Sequence, residues 1–366
     1  MDQKERNFRF AMSQINGLGI KRYLEILNHF QSAIDFWNSN TQDIIDIFGK
    51  NIGTKICRER DVIDINSKLK LLKNLNINFM VFGEESYPTL LSEISDPPVC
   101  IFYKGNAPKI IFDNSITIVG TRKHTKYGEE IIKKIIPELV KKNITIVSGM
   151  AFGIDKVAHE VVLDNGGVTI AVLGSSVDNP TPMSNRSLYE EIINHGIVLS
   201  EYFPGTEVAP GNFPSRNRIL AGLSMATVLI EAPERSGALI TAHLAFDYNR
   251  MVFAVPGSVG KISSKGCNNL IKNQKAKLIE DAFDIFIELG YQIGKEQNFD
   301  IHREVELGLD QKQREILAIL KYQALTFDQM KQKFDMDVKS LLVSLTTLEV
   351  SGLIFRNEKE EYVVRL

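Results

Sequence analysis

The sequence predicts an α/β protein built on a parallel sheet with helices on both faces. Three observations carry that prediction. Short runs rich in Ile, Val and Thr recur between residues 116 and 255, and they are apolar on both faces. Longer stretches with apolar residues at helical spacing separate them, as crossovers between parallel strands require. Gly or Ser stands just beyond almost every apolar run, where strands give way to loops.

The elements follow in chain order. Residues 7–10 lead into a helix that ends near Asn16-Gly17-Leu18-Gly19. A second helix begins at Ile20 and places Tyr23, Leu24, Ile26, Leu27 and Phe30 at helical spacing. A third covers about 43–48, with Gly49 and Gly53 in connections. Gly17-Leu18-Gly19 reads first as a tight turn. The alternative is a helix-hairpin-helix turn that offers N–H groups to phosphate. Residues 79–82 and 99–102 add strands or a lid, interrupted by turns at Tyr87-Pro88 and Asp96-Pro97-Pro98.

The central strands are expected at 116–119, 144–147, 169–173, 197–199, 227–230 and 252–255. The helices between them are expected at 127–142, 154–165, 187–194, 217–223 and 238–249. Residues 291–309 are polar and weakly periodic and read as a linker. The tail shows helical patterns at 311–322, 327–334 and 338–350, then short strands at 353–356 and 362–365 around a turn at 357–361. Three helices and a two-stranded wing make a winged-helix order. The expected domains are therefore 1–75, small and helical; 76–290, the sheet; 291–309, the linker; and 310–366, the winged helix.

Composition bounds the function. The chain has 366 residues, 44% hydrophobic and 24% charged, an ordinary globular balance. Cys57, Cys100 and Cys267 form no CxxC pair, which excludes a disulfide scaffold or zinc ribbon and implies a reducing compartment. The start, MDQKERNFRF, lacks the apolar core of a signal peptide, and no apolar run reaches spanning length. A cytoplasmic protein without a membrane partner is expected. Net charge is −2, so no global basic field advertises nucleic acid. Residues 1–75 hold 12 Lys/Arg against 9 Asp/Glu, residues 76–290 hold 20 against 23, and residues 310–366 hold 9 against 9. A phosphate site must be a local constellation.

In an open parallel sheet, ligands bind beyond the carboxyl ends of the strands. There the sequence offers Gly120-Thr121-Arg122-Lys123, then Gly149 to Gly153, then Glu231 to Gly237. Small residues at Gly120, Gly149 and Gly153 would let a ligand approach the backbone. Arg122 occupies the second glycine position of a dinucleotide fingerprint, which excludes a pyrophosphate lying on the helix. A cation at a helix start is unfavourable, and an anionic ligand supplies the reason for it. The alternative is a solvated charge or a partner for Asp155. Phe213-Pro214-Ser215-Arg216-Asn217-Arg218 pairs a ring with two arginines, the recipe for single-stranded nucleic acid. One arginine is expected to be structural, bridging Glu201 or Glu231, and the other to touch ligand. Ser236 and Gly237 form either an anion nest or a plain helix cap. Lys126, Lys156, Lys261 and Lys265 lie near the same edge as solvated charges.

Enzyme constellations are poor. His124, His159 and His243 form no HxxxH pair, and neither GxSxG nor GxxxxGK[ST] occurs. Asp155 and His159, four residues apart, read as fixing a helix start rather than as a catalytic pair. No catalytic residue, metal or cofactor is expected, and ATP-driven activity is disfavoured.

Together these blocks resemble the DNA-processing protein A family, also called Smf. The matching stretches include IVGTR at 118–122, Tyr127-Gly128, IVSGMAFGID at 146–155, LSEYFPG at 199–205, FPSRNRILAGLS at 213–224, EAPERSGALITA at 231–242, FAVPG at 253–257 and KGCNNLI at 265–271. The resemblance covers 80–290. It implies an extended Rossmann-like core, flanked by a helix-hairpin-helix or SAM-like domain and a winged helix. It also implies a non-enzymatic homodimer that binds single-stranded DNA and helps load a RecA-type recombinase during natural transformation. By motif, Arg122 would grip phosphate, Arg216 and Arg218 would be the arginines of an R-N-R element, and Phe213 would lie near a base. The chain departs from the family pattern at Ser176 to Pro182, which lacks a tyrosine, and at Gln274-Lys275-Ala276. Residues 205–212 also lack any Lys or Arg. A rival reading is a nucleotide-hydrolysing enzyme of the lysine-decarboxylase-like class, although Ala232 to Ala238 lacks the double glycine of that class.

Overall fold

Ile, Val, Thr and Ala fill the central strands of the computed structural model, which describes residues 1–105, 112–291, 309–320, 323–334, 336–357 and 360–364. These strands are β3 (Ser115–Val119), β4 (Thr145–Ser148), β5 (Thr169–Val172), β6 (Ile197–Ser200) and β7 (Ala226–Leu229), and every residue in them is buried. β8 (Met251–Ala254) and the short β9 (Lys277–Leu278) continue in parallel. The runs are apolar on both faces because both faces are covered. Ile170 and Val172 pack with Ile219, Leu220 and Ala242 on one side. Ala171 and Leu173 pack with Leu188, Tyr189 and Ile192 on the other.

Helices connect the strands: α7 (Lys126–Lys141), α8 (Ile154–Asp164), α9 (Arg186–His195), α10 (Asn212–Leu223) and α11 (Gly237–Asp247). Among the described residues the sheet has nine strands, β1 (Asn78–Val81) and β2 (Cys100–Gly105) included, in the order β1-β2-β6-β5-β4-β3-β7-β8-β9. The chain runs outward from β3 through β6, then crosses back to place β7 beside β3. That reversal makes the gap between β3 and β7 the topological switch point.

β1 (Asn78–Val81) and β2 (Cys100–Gly105) belong to this sheet, with β2 antiparallel to β6. The stretches at 79–82 and 99–102 therefore become edge strands. Tyr87 Oη donates to the Pro98 carbonyl at 2.7 Å, closing the connection between them, which holds the short α6 (Thr89–Ser92).

Residues ahead of the sheet form α1 (Gln3–Ser13), α2 (Ile20–Phe30), α3 (Ala33–Asn38), α4 (Thr41–Val62) and α5 (Ile65–Asn74). The helix expected over 43–48 forms the first part of α4, and Gly49, with a φ of 75°, breaks the helix there as expected. Gly53 lies inside the helix and not in a connection: a β-carbon there would sit 2.7 Å from the Ile45 Cα. The bend folds the second half of α4 back on the first, so close packing requires glycine where periodicity alone reads a break. Phe10 of α1 stacks against Phe79 and Phe102 of the edge strands. The helical segment thus shares a core with the sheet, and α12 (Lys265–Lys272) and α13 (Ala282–Glu288) complete the unit Met1–Gly290.

The second unit, Tyr291–Leu366, holds α14 (Gln311–Leu320), α15 (Phe327–Lys333), α16 (Val338–Val350) and the hairpin β10 (Ile354–Arg356) with β11 (Tyr362–Val364). Ile316, Leu317, Leu341, Leu345, Leu348 and Tyr362 form its core. The expected linker falls almost wholly outside the described residues, as do Tyr322, Arg365 and two positions of the turn at 357–361. No described helix is long and apolar enough to cross a membrane.

Candidate nucleic-acid interface

All the parallel strands end at one edge, and their loops form its rim. After β3 come Gly120, Thr121, Arg122 and Lys123, the last two exposed. After β7 come Glu234, Arg235, Ser236 and Gly237. These two loops flank the switch point. After β8 the rim continues through Lys261 and Lys265, also exposed. Among the described residues none of Arg122, Lys123, Arg235, Lys261 or Lys265 enters an ion pair, whereas Lys126 and Lys156 pair with Glu130 and Glu160. No residue from 248 to 279 is acidic, so the loop after β8 brings no carboxylate of its own to the rim.

Below the rim lies a buried polar layer that holds the loops together. Asp155, at the start of α8, accepts backbone N–H groups from Gly120, Gly149 and Ala151. Burial raises the pKa of its carboxyl, and Arg216 and those N–H groups oppose the rise. Arg216, 5% exposed, donates to the Gly149 carbonyl at 2.9 Å and to the Val172 carbonyl. Burial lowers its pKa to about 10, with Asp155 opposing and Arg122 assisting. Asn217 is buried and donates to the Gly237 carbonyl at 3.2 Å, tying α10 to the β7 loop. His159 shares a 2.7 Å hydrogen bond with the Thr169 hydroxyl, which itself donates to the Ile146 carbonyl. The imidazole Nδ1 is therefore the donor. Burial, then Arg216, lowers the His159 pKa to about 3.

Three expectations need correction. The first is that one of Arg216 and Arg218 is free for ligand. Both are engaged: Arg218 pairs with Glu201 and, at 3.2 Å, with Asp96, while Arg216 is held by carbonyls. Glu201 is part-buried, and desolvation raises its carboxyl pKa against the pull of Arg218. The second is that glycines open the edge to a ligand backbone. A β-carbon at Gly149 would meet Asp155 Oδ2 at 2.6 Å, at Gly120 the Ile154 side chain at 2.5 Å, and at Gly153 the Thr121 carbonyl at 2.3 Å. These glycines admit the protein's own atoms; Gly237 has open space beside it. The third, that the helices opening at this edge offer free N–H groups to phosphate because their first turns lack intrahelical partners, also fails at two of them. Buried Glu231 accepts from Thr125 N at 2.8 Å and Thr125 Oγ1 at 2.9 Å, so the start of α7 already holds a carboxylate. Ile154 N of α8 donates to the Thr121 carbonyl.

Arg122 has no ion pair with Asp155, so that alternative falls. Ser236 caps α11 by accepting from Ala238 N at 3.3 Å. Phe213 is half-buried, and its ring covers Gly174, where a β-carbon would approach it to 2.7 Å. The rim residue that sequence reasoning misses is Phe152, an exposed ring between β4 and α8. A large aromatic inside a Gly-rich strand-end loop is the available signal.

The family model for DNA recombination-mediator protein A matches residues 78–290. The chain belongs to that family. Its sheet unit is what the match covers, with the flanking helices largely outside it. Among relatives, the DNA processing protein DprA of Streptococcus pneumoniae is 43% identical over 289 residues, 79% of this chain and 100% of that protein. Protein Smf of Synechocystis is 39% identical over 278 residues, 75% of this chain and 70% of that one. The X-ray structure of the pneumococcal protein superposes with a TM-score of 0.69 at 36% identity, over 77% of this chain and 97% of the other. DNA processing protein A from Helicobacter pylori, solved for its single-stranded DNA binding mode, gives a TM-score of 0.53 at 29% identity, over 58% of this chain and 95% of that one.

Proposed function

We propose that this protein binds single-stranded DNA along the rim at the switch point and acts without catalysis. The observation that carries the reading is the exposed Arg122 with Lys123 after β3, without an ion pair among the described residues, and the exposed Arg235 on the loop after the neighbouring strand β7. An arginine fork grips phosphate in two directions, and neighbouring lysines add unspecific charge. The single-stranded DNA binding mode of the Helicobacter pylori relative supports the same class of ligand here.

The proposed site residues take two roles. Arg122, Lys123, Phe213, Ser236 and Gly237 contact the strand. Gly120, Gly149, Gly153, Arg216, Asn217 and Arg218 hold the loops that present them, as their internal bonds support. Family membership supports the wider reading: a cytoplasmic homodimer that helps load a RecA-type recombinase on incoming DNA during natural transformation. We assign 1–75 as a helix-hairpin-helix-like domain, 76–290 as the DNA-binding domain, 291–309 as a linker and 310–366 as a winged helix. α16 offers only Lys339 among basic and amide side chains, and Leu342, Val343 and Val350 are exposed on it. A groove reader needs a polar, basic face, so we assign this unit to protein contact.

The test is a mobility shift with single- and double-stranded DNA of equal length across a salt series, without ATP. Preferential retention of the single strand with a falling affinity as salt rises is expected. Equal retention of duplex, or no retention, overturns the reading. Light scattering tests the dimer: a monomer at micromolar concentration with DNA affinity intact removes it.

A further inference from the structure

Phe152 stands 48% exposed on the loop between β4 and α8, flanked within two residues by the fully buried Met150 and Ile154. A lone exposed ring needs no explanation, but the loop that carries this one packs against the loop that carries Arg122. Gly153, the next residue, has a φ of 81°, and a β-carbon there would lie 2.7 Å from the Arg122 Cα. The β4 loop thus presses its backbone against the β3 loop. Ile154 N donates to the Thr121 carbonyl at 3.2 Å, adding a second tie. Asp155 supplies the third, accepting from Gly120 on one loop and from Gly149 and Ala151 on the other. β3 and β4 are themselves paired neighbours in the sheet. The ring and the guanidinium therefore rise from one fixed support.

We propose that Phe152 is a stacking platform for a base of the strand whose phosphate Arg122 grips. The proposal rests on the single-stranded reading above and adds to it the contact that reads the base rather than the backbone. A fixed ring stacks on any base, because every base has a π-face, so the contact tolerates sequence. Pre-formed placement avoids the cost of ordering the loop on binding. Phe213 is less suited, because one part of its ring already covers Gly174.

The two contacts have separable signatures. Stacking is not electrostatic, so Phe152→Ala in the full chain should weaken single-strand affinity about tenfold while the salt slope stays at the wild-type value. Phe152→Tyr should restore affinity, as a merely space-filling or loop-shaping role would not predict for a ring in solvent. Arg122→Ala should instead lower the slope, by about 0.7. Phe152→Trp adds an indole to a chain whose one tryptophan is Trp37, and oligothymidine should quench the added emission. Thermal melting at the wild-type temperature confirms that each variant is folded. Unchanged affinity in Phe152→Ala, or a Phe152→Tyr protein as weak as Phe152→Ala, overturns the stacking role. If Arg122→Ala still lowers the slope in that case, the single-stranded reading survives alone. If the wild type retains no single strand, both fall together.

Discussion

The loop after β3 carries Arg122 in solvent, while α10, beneath the same sheet edge, carries Arg216 at 5% exposure. Both arginines belong to motifs that suggest phosphate. Arg216 is met by the carbonyls of Gly149 and Val172 and faces Asp155, so its fork is spent inside the protein. Arg218, two residues on, is spent on Glu201 and Asp96. Among the described residues Arg122 forms no ion pair, and the nearby carboxylates are engaged, Asp155 by backbone N–H groups and Glu231 by Thr125. A cation at a ligand edge is available only where the fold has already satisfied its nearby anions.

That contrast can be broken at several points. Arg216→Met should cost the most, about 3–5 kcal/mol of folding stability, because it removes a buried cation and leaves Asp155 without its opposing charge. Denaturant unfolding measures it, and a loss below about 1 kcal/mol would place Arg216 among the ligand contacts after all.

The same buried layer makes stability depend on pH through His159. Its folded pKa is about 3, below the ordinary 6.5. Between those values the unfolded chain takes up a proton that the folded chain refuses. Stability is therefore full above 6.5 and is lost as pH falls toward 3, by about 1.4 kcal/mol per pH unit from this residue. Unfolding curves of His159→Gln should be flatter over that window than those of the wild type. Parallel curves would mean that His159 is not held neutral.

On the rim the expected effects move from stability to binding. Arg122→Ala should leave the melting temperature in place, weaken single-strand affinity about tenfold and reduce the salt slope by about 0.7. A fall in melting temperature without a change of slope would move Arg122 into the structural layer. The smallest effect is expected from removing the second unit. A chain ending at Gly290 retains the whole rim, so its affinity should stay within about tenfold of the wild type, about 1.4 kcal/mol. A larger loss in the same mobility shift would show that α16 or its hairpin touches DNA.

Much of this is legible in one dimension. The six central strands stand close to their expected limits, because β-branched runs buried on two faces leave a local mark. The helix expected at 338–350 has those bounds, starting at the Asp337 cap. Gly49 and Gly53 look alike in sequence; the first breaks α4 with a positive φ, and only packing against Ile45 places the second inside the helix. The motifs around Arg122, Phe213, Arg216 and Gly237 are visible in the sequence, but the division of labour among them is not.

The sequence by itself determined the alternation of strands and helices, the parallel sheet covered on both faces, and the strand-end loops as the place for a site. Those features follow from side-chain shape and apolar spacing between near neighbours, which any short window contains. Only the tertiary structure decided that β7 lies beside β3, that Arg216 and Arg218 turn inward, and that the Phe152 loop packs against the Arg122 loop. Each of those outcomes depends on partners far apart in the chain, such as Arg216 with Val172 and Arg218 with Asp96. The energy of a charge or a ring is set by what surrounds it in space, and residue spacing along the chain does not carry that information.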